Sequence, residues 1–189
     1  MGGKPRAPRA LHSGERVHIR RPGAGDLEAL AELATLSRKL HGRYASPPTS
    51  RGEFGAYLAA VESGKNRALW VFHNDDRRLL GVFNLSQIIR GPLQQAFLGY
   101  YGNAATAGRG FMLEGLTLVL EHAFASMGLH RLEANIEPPN HASKRLVERA
   151  GFRLEGFSPR YLMIGGRWRD CERWAITRED WRATSGLRG

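Results

Sequence analysis

The feature that most constrains this chain is a single crossover helix. Leu113, Leu116, Leu120, Phe124 and Met127 recur at helical spacing, which predicts one helix from about Gly110 to Met127 with Gly128 to stop it. A strand-like run, Gln94–Tyr101, precedes this helix, and another, Arg131–Ile136, follows it. A strand, a crossover helix and a second strand make two parallel neighbours in one sheet. What comes before is a meander: Leu69–His73, a turn at Asn74-Asp75-Asp76, Leu79–Ile89, and a turn at Gly91-Pro92. The expectation is therefore one parallel pair inside an otherwise antiparallel sheet.

The remaining segments fit around that unit. Val17–Arg20 alternates as a first strand, and Asp26 caps a helix that runs to about Leu40 and closes at Gly42. A Pro/Ser-rich loop, Tyr44–Gly52, is a natural lid on the substrate side, and a second helix follows over about Glu53–Ser63. After Pro138-Pro139, Asn140 caps a helix whose apolar face is Ala142, Leu146, Val147 and Ala150, and Gly151 ends it. Phe152–Ile164 and Arg167–Ile176 read as a hairpin across Gly165-Gly166, and Asp180–Arg182 as a short closing turn.

At 189 residues the chain suits one domain, over about 15–189, behind a basic and flexible tail at 1–14. It has no run of about 18 apolar residues, so no membrane span is expected, and no apolar stretch follows the basic start as a secretory signal would require. Cys171 is the only cysteine, which rules out an internal disulfide and suits a cytoplasmic setting. The seven histidines show no metal-ligand spacing, so no metal is expected. The formal net charge is +10, and six Lys/Arg against one Glu place half of that excess in the first 21 residues. Two readings of this charge stay open: a surface for RNA or a phosphate-rich ligand, and a solvated Arg-rich tail.

The segment Ala107-Gly108-Arg109-Gly110-Phe111-Met112 lies between a strand and the long helix. Glycines let backbone approach a ligand at positive φ, and the first N–H groups of a helix lack partners within it. With the helix dipole they form a pyrophosphate site, and Arg109 adds charge. Leu113 stands where the dinucleotide fingerprint has its third glycine, and no Gly-Lys-Ser/Thr follows. The context, one crossover after a meander, also excludes a dinucleotide fold of repeated βαβ units.

Four segments carry a more specific likeness. Leu98-Gly-Tyr-Tyr101, Ala107–Met112, Asn140-His-Ala-Ser143 and Glu148-Arg-Ala-Gly-Phe152 resemble the core of the GNAT superfamily of acyltransferases. Leu80–Ser86, Arg90-Gly91 and Tyr161–Asp170 are similar to the ribosomal-protein-alanine N-acetyltransferase group, the RimJ/RimL type. The likeness covers roughly residues 15–183. It implies an α+β fold with a mixed, mostly antiparallel sheet of about six or seven strands, a central splayed parallel pair and flanking helices. It also implies acetyl-CoA as the acyl donor. Backbone groups at Leu98, Gly99 and Tyr100 would hold pantetheine and thioester, and Ala107, Gly108, Arg109, Gly110, Phe111 and Met112 the pyrophosphate. The family usually has Gln or Arg where Ala107 stands, and Gly or Ala where Met112 stands.

Transfer to an amine needs a neutral nucleophile, a polarised thioester carbonyl and a proton for the departing thiolate. By resemblance Ser143 donates that proton and Asn140 holds the pantetheine. Lys144 and Arg145 fall on the exposed face of that helix, where two readings stay open: contact with the CoA phosphates, and a solvated face. Asn140 and Ser143 also suit ordinary helix capping. Glu133 and Glu137 flank the splayed strand and are the candidates for the base. RimL-like enzymes carry a base carboxylate in the region that is Arg160–Met163 here, and this chain has none. The resemblance implies a protein N-terminal amine as acceptor, an N-terminal Ala of a ribosomal protein, with ribosome or RNA contact through the basic surface. It is expected to act as a monomer or weak dimer without membrane contact. A small-molecule amine acceptor and a non-catalytic RNA-binding module are the competing expectations.

Overall fold

The computed structural model describes residues 8–64 and 66–186. Eight strands form a sheet in the order β1-β2-β3-β4-β5-β6-β8-β7. They are β1 (His12–Ser13), β2 (Val17–Arg20), β3 (Arg67–His73), β4 (Leu79–Ile89), β5 (Gln95–Gly102), β6 (Arg131–Ile136), β7 (Arg153–Ile164) and β8 (Arg167–Thr177). The helices are α1 (Leu27–Leu36), α2 (Arg38–His41), α3 (Arg51–Glu62), α4 (Phe111–Glu121), α5 (His141–Arg149) and α6 (Arg178–Gly186). The sheet exceeds the expected six or seven strands because His12–Ser13 pairs antiparallel with β2, inside the segment expected to be a tail. Residues 1–7 of that expected tail lie outside the described residues.

The chain forms two compact units. The first runs to Asn84 and adds Tyr100–Val119; the second joins Leu85–Gly99 to the residues from Leu120 onward. In the first unit Leu30, Leu33, Phe54, Ala68, Trp70, Phe72, Leu79 and Val82 form a buried cluster. Even-numbered residues of β3 therefore face α1 and α3, as a strand's period of two requires. The odd face meets α4: a methyl group on Gly115 would lie 2.7 Å from Val71, so only glycine lets that helix approach so closely. Ser50 and Glu53 form a capping box that starts α3, worth about 1 kcal/mol. The helix expected from Asp26 to Leu40 divides at buried Ser37, whose hydroxyl accepts from the Ala104 N–H at 2.9 Å.

In the second unit β5 and β6 are parallel, as the crossover demands, but only Gln95–Phe97 pairs with Arg131–Glu133. β6 then pairs antiparallel with β8 along its whole length, and β8 with β7. Gly165 and Gly166, both at positive φ (57° and 74°), make the two-residue turn of that hairpin. α5 packs on the face of Leu132, Ala134 and Ile136, since Lys144 reaches Glu172 on the matching face of β8 at 3.0 Å. The expected closing turn at Asp180–Arg182 is instead a helix, α6. Thr177 and Asp180 exchange side-chain and backbone hydrogen bonds at 3.0 and 3.3 Å, a capping box with Asp in the usual Glu position.

Candidate functional site

The glycine turn belongs to the first unit. Buried Asn103 anchors it: its amide donates to Leu79 O at 3.1 Å and its oxygen accepts from Ala105 N–H at 3.0 Å. Gly108 (φ 77°) and Gly110 (φ 83°) then bring the chain to α4 in a conformation that side chains rarely adopt. A Cβ on Gly108 would meet nothing within 4 Å, so the space beside it is open. Among the described residues, no backbone carbonyl accepts from the N–H groups of Gly108, Gly110, Phe111, Met112 or Leu113; the regular ladder of α4 starts with Glu114 N–H to Gly110 O at 3.1 Å. Unpaired donors around open space at a helix N-terminus fit a pyrophosphate.

The side chains of the turn do other work. Met112 Sδ would lie 2.2 Å from a Cβ on Gly81, and its Cγ 3.1 Å from one on Gly102, so Met112 fills the room that two strand glycines leave. Phe111 is buried and edge-on to His73 at 5.4 Å. Both residues therefore offer a phosphate only their N–H. The Ala107 N–H donates to Ala104 O at 3.3 Å and that of Arg109 to Thr106 O at 3.4 Å, both long bonds.

Sequence reasoning missed Arg16. Its Nε donates to Glu114 at 2.8 Å, its Nη1 to Arg109 O at 3.2 Å, and its guanidinium lies 4.8 Å from the Phe111 ring centre. Arg109 lies 5.0 Å from the same centre, so two cations meet one ring beside the turn. Glu114 accepts from the Arg16 side chain and from the N–H groups of Arg16 and Val17. A separation of 98 residues leaves no pattern that could have revealed this pair.

The first unit also holds a cavity of ≈ 590 Å³ walled by α1, α2 and the expected lid loop, with Ala34, Arg38, His41, Pro47, Pro48 and Glu53 in its lining. Glu53 is its one carboxylate, and Thr49 and Ser50 N–H groups donate to it, which holds its pKa below the ordinary value. His41 is buried, with Nε2 2.8 Å from Gly102 O and its ring edge-on to Tyr101. Burial raises the Tyr101 phenol far above its usual pKa and pushes that of Tyr57 to about 12, so both stay protonated. Tyr100 packs against Phe83 with ring centres 5.6 Å apart.

In the second unit Asn140 caps α5, its oxygen accepting from Ser143 N–H at 3.2 Å. Its amide nitrogen is not used in the cap. Ser143 is part-buried, Arg145 is exposed, and Lys144 is held by Glu172. Leu98 is buried and Gly99 exposed, and both lie beyond Phe97, where β5 no longer pairs with β6.

β6 presents Arg131, Glu133, Asn135 and Glu137 on the face away from α5, by strand alternation. Glu133 is buried and accepts from Arg131 Nε at 2.8 Å. Arg131 also grips Glu155, which raises the guanidinium's pKa and lowers that of Glu155. Glu137 is buried beyond the end of β6. Burial first, and then the Glu137 charge, raise the thiol pKa of Cys171. Cys171 is fully buried and protonated, which suits a core residue and not a nucleophile.

Residues 16–153 match the family model described as acetyltransferase (GNAT) domain. The chain is 40% identical over 124 residues to the probable N-acetyltransferase YjcK of Bacillus subtilis (strain 168), covering 66% of this chain and 68% of that protein. It is 37% identical over 111 residues to the ribosomal protein uS5-alanine N-acetyltransferase of Escherichia coli (strain K12), covering 59% of this chain and 57% of that relative's length. Among solved structures, Mycobacterium smegmatis RimJ in complex with CoA-disulfide superposes with a TM-score of 0.78 at 25% identity, covering 91% of this chain and 90% of the other. Spermidine N-acetyltransferase from Vibrio cholerae, in complex with CoA and spermine, gives 0.75 at 22% identity and 88% and 98% coverage. Among the described residues, no helix is long and apolar enough to cross a membrane.

Proposed function

Because the chain belongs to the GNAT acetyltransferase family, we propose that it transfers the acetyl group of acetyl-CoA to the N-terminal amine of a protein, with an N-terminal Ala of a ribosomal protein as the first candidate. The likeness to the uS5-alanine enzyme carries the acceptor class. The cavity agrees with it: a polyamine would call for a cluster of carboxylates, and this lining has one, already hydrogen-bonded, and also includes Arg38.

Acetyl-CoA supplies an activated thioester. The N–H groups of Gly108, Gly110, Phe111 and Met112 bind its pyrophosphate, and the positive charges of Arg109 and Arg16 favour an anion there. Strand-edge N–H groups near Leu98, Gly99 and Tyr100 polarise the thioester carbonyl. Ser143 returns a proton to the leaving sulfur, and the Asn140 amide holds the pantetheine. Arg145 meets the CoA phosphates from its exposed position. Of the two candidate bases Glu137 is favoured, since Glu133 already has a structural role as one of the two carboxylates that hold Arg131. The amine attacks directly, with no acyl-enzyme through buried Cys171. Such a reaction suits the cytoplasm, where ribosomal proteins and acetyl-CoA meet, and the basic charge suits contact with the ribosome.

Incubation with acetyl-CoA and a panel of acceptors tests this. An Ala-starting peptide should gain an acetyl group on its α-amine and release free CoA, well ahead of spermidine. Acetylation of spermidine with none of any peptide would overturn the acceptor class.

A further inference from the structure

One face of the second unit carries two polar atoms that the fold leaves without partners. Asn135 Oδ1 and Arg169 Nε are both shut off from solvent, and among the described residues neither has a hydrogen-bond partner. An unpaired buried polar atom costs about 1–3 kcal/mol, so a fold retains one where something else satisfies it. A third such atom, His73 Nδ1, lies 3.4 Å from the Asp76 carboxylate and is explained by it.

The two orphans are related by the sheet. Asn135 stands two residues beyond Glu133, the last β6 residue that pairs with β5, and so lies where the parallel pair has opened. It faces away from α5, between Glu133 and Glu137, and opposite Arg173 of β8. The irregularities of the β7–β8 ladder put their extra residues in β7, so β8 keeps its alternation and Arg169 shares the face of Cys171 and Arg173. Arg169 is four residues from Arg173, about 13 Å along the strand.

One orphan is an acceptor and the other a donor. A chain with an N–H donor at its head and a carbonyl several residues on would satisfy both. An extended peptide spans about 13 Å in four residues, and its N-terminus offers an amine N–H to Asn135 and a later carbonyl to Arg169. A polyamine supplies donors only and would leave Arg169 unpaired. We propose that Asn135 and Arg169 are specificity residues that bind the first residues of a peptide acceptor, Asn135 at the α-amine and Arg169 at a carbonyl about three residues on. This rests on the peptide-acetylating function proposed above.

The test compares wild type with Asn135→Ala and Arg169→Gln on two acceptors, alaninamide and an Ala-starting hexapeptide, with melting temperature read alongside. Wild type should prefer the hexapeptide. Asn135→Ala should raise KM about tenfold for both acceptors, as loss of one hydrogen bond implies, with KM for acetyl-CoA unchanged. Its melting temperature should not fall, because the substitution removes an unsatisfied group. Arg169→Gln should raise KM for the hexapeptide alone and so erase the preference for length. Variants within twofold of wild type on both acceptors would overturn the inference, as would activity losses that simply follow a lowered melting temperature. If wild type acetylates no peptide, the proposed function falls as well; if it acetylates peptides while the variants match it, only this inference falls.

Discussion

At the glycine turn the working groups are backbone N–H groups; along β6 they are side chains. The turn needs φ values that glycine adopts and a helix behind it, and most of its side chains are occupied elsewhere, Met112 in the space left by Gly81 and Gly102, Phe111 beneath two arginines. On β6 the backbone is an ordinary ladder, and everything depends on what each side chain meets. Glu133 and Glu137 are both buried acids, yet Glu133 is hydrogen-bonded to Arg131 within the strand and Glu137 lies past the strand's end. A backbone site tolerates change in its side chains and is broken by change in its φ. A side-chain site behaves the other way round.

Breaking the turn should have the largest effect. Gly110→Val forces a β-branched residue into φ 83° and sets its Cβ 3.4 Å from Arg16 Nη2. Acetyl-CoA affinity by calorimetry should fall about 100-fold or more, with a stability loss of about 1–3 kcal/mol. Ala107→Gln, a side-chain change at the same turn, should stay within about threefold.

On β6 the comparison sharpens. Glu137→Gln should lower kcat about 100-fold, the size of a lost general base, well beyond what any fall in melting temperature accounts for. Glu133→Gln should do the reverse: kcat within a few-fold, but a stability loss of about 1 kcal/mol as Arg131 loses one of its two carboxylates. Reversal of that order would move the base to Glu133.

Arg16 crosses the two categories, since it is a side chain serving a backbone site. Arg16→Ala should weaken acetyl-CoA binding about tenfold, and Glu114→Ala about as much by releasing Arg16. The double variant should be little worse than either single one, because the two act as a unit.

The turn has no titrating group of its own, whereas the second unit has Asp180. Burial raises the Asp180 pKa, but the Thr177 hydroxyl and N–H and the Arg153 guanidinium together outweigh it and lower the value. A carboxyl whose folded pKa is depressed stabilises the fold above its unfolded value, about 3.9, and loses that contribution as pH falls through the folded value. Asp180→Asn should cost about 1 kcal/mol at neutral pH, and urea denaturation should show the gap closing below about pH 4. The smallest effect is expected at Cys171: Cys171→Ala should keep full acetyl transfer within about twofold, and the native thiol should resist a disulfide reagent that labels it at once in urea.

Those differences also explain which parts were readable beforehand. The α4 stripe, Gly108 and Gly110, the Asn140 cap and the Gly165-Gly166 turn are local patterns, and local patterns show in sequence. β6 came out with its bounds intact, Arg131–Ile136, because six residues of alternation suffice. The division at Ser37 was hidden because it depends on Ala104, far along the chain. Arg16 with Glu114, and the partners that separate Glu133 from Glu137, are likewise long-range. The orphaned Asn135 is visible only as a missing partner, which no spacing can announce. α6 was within reach, since Thr177-x-x-Asp180 is a capping signature, but Asp in place of Glu made it read as a turn.

The most direct test of the turn as an acetyl-CoA site is a thermal-shift titration of the wild-type protein with acetyl-CoA. A ligand that binds only the native state at about 100 times its Kd adds roughly 2.7 kcal/mol of stability. The predicted result is a melting temperature that rises with acetyl-CoA concentration in wild type and stays flat in Gly110→Val. An unchanged melting temperature in wild type, or an equal rise in both proteins, would contradict it.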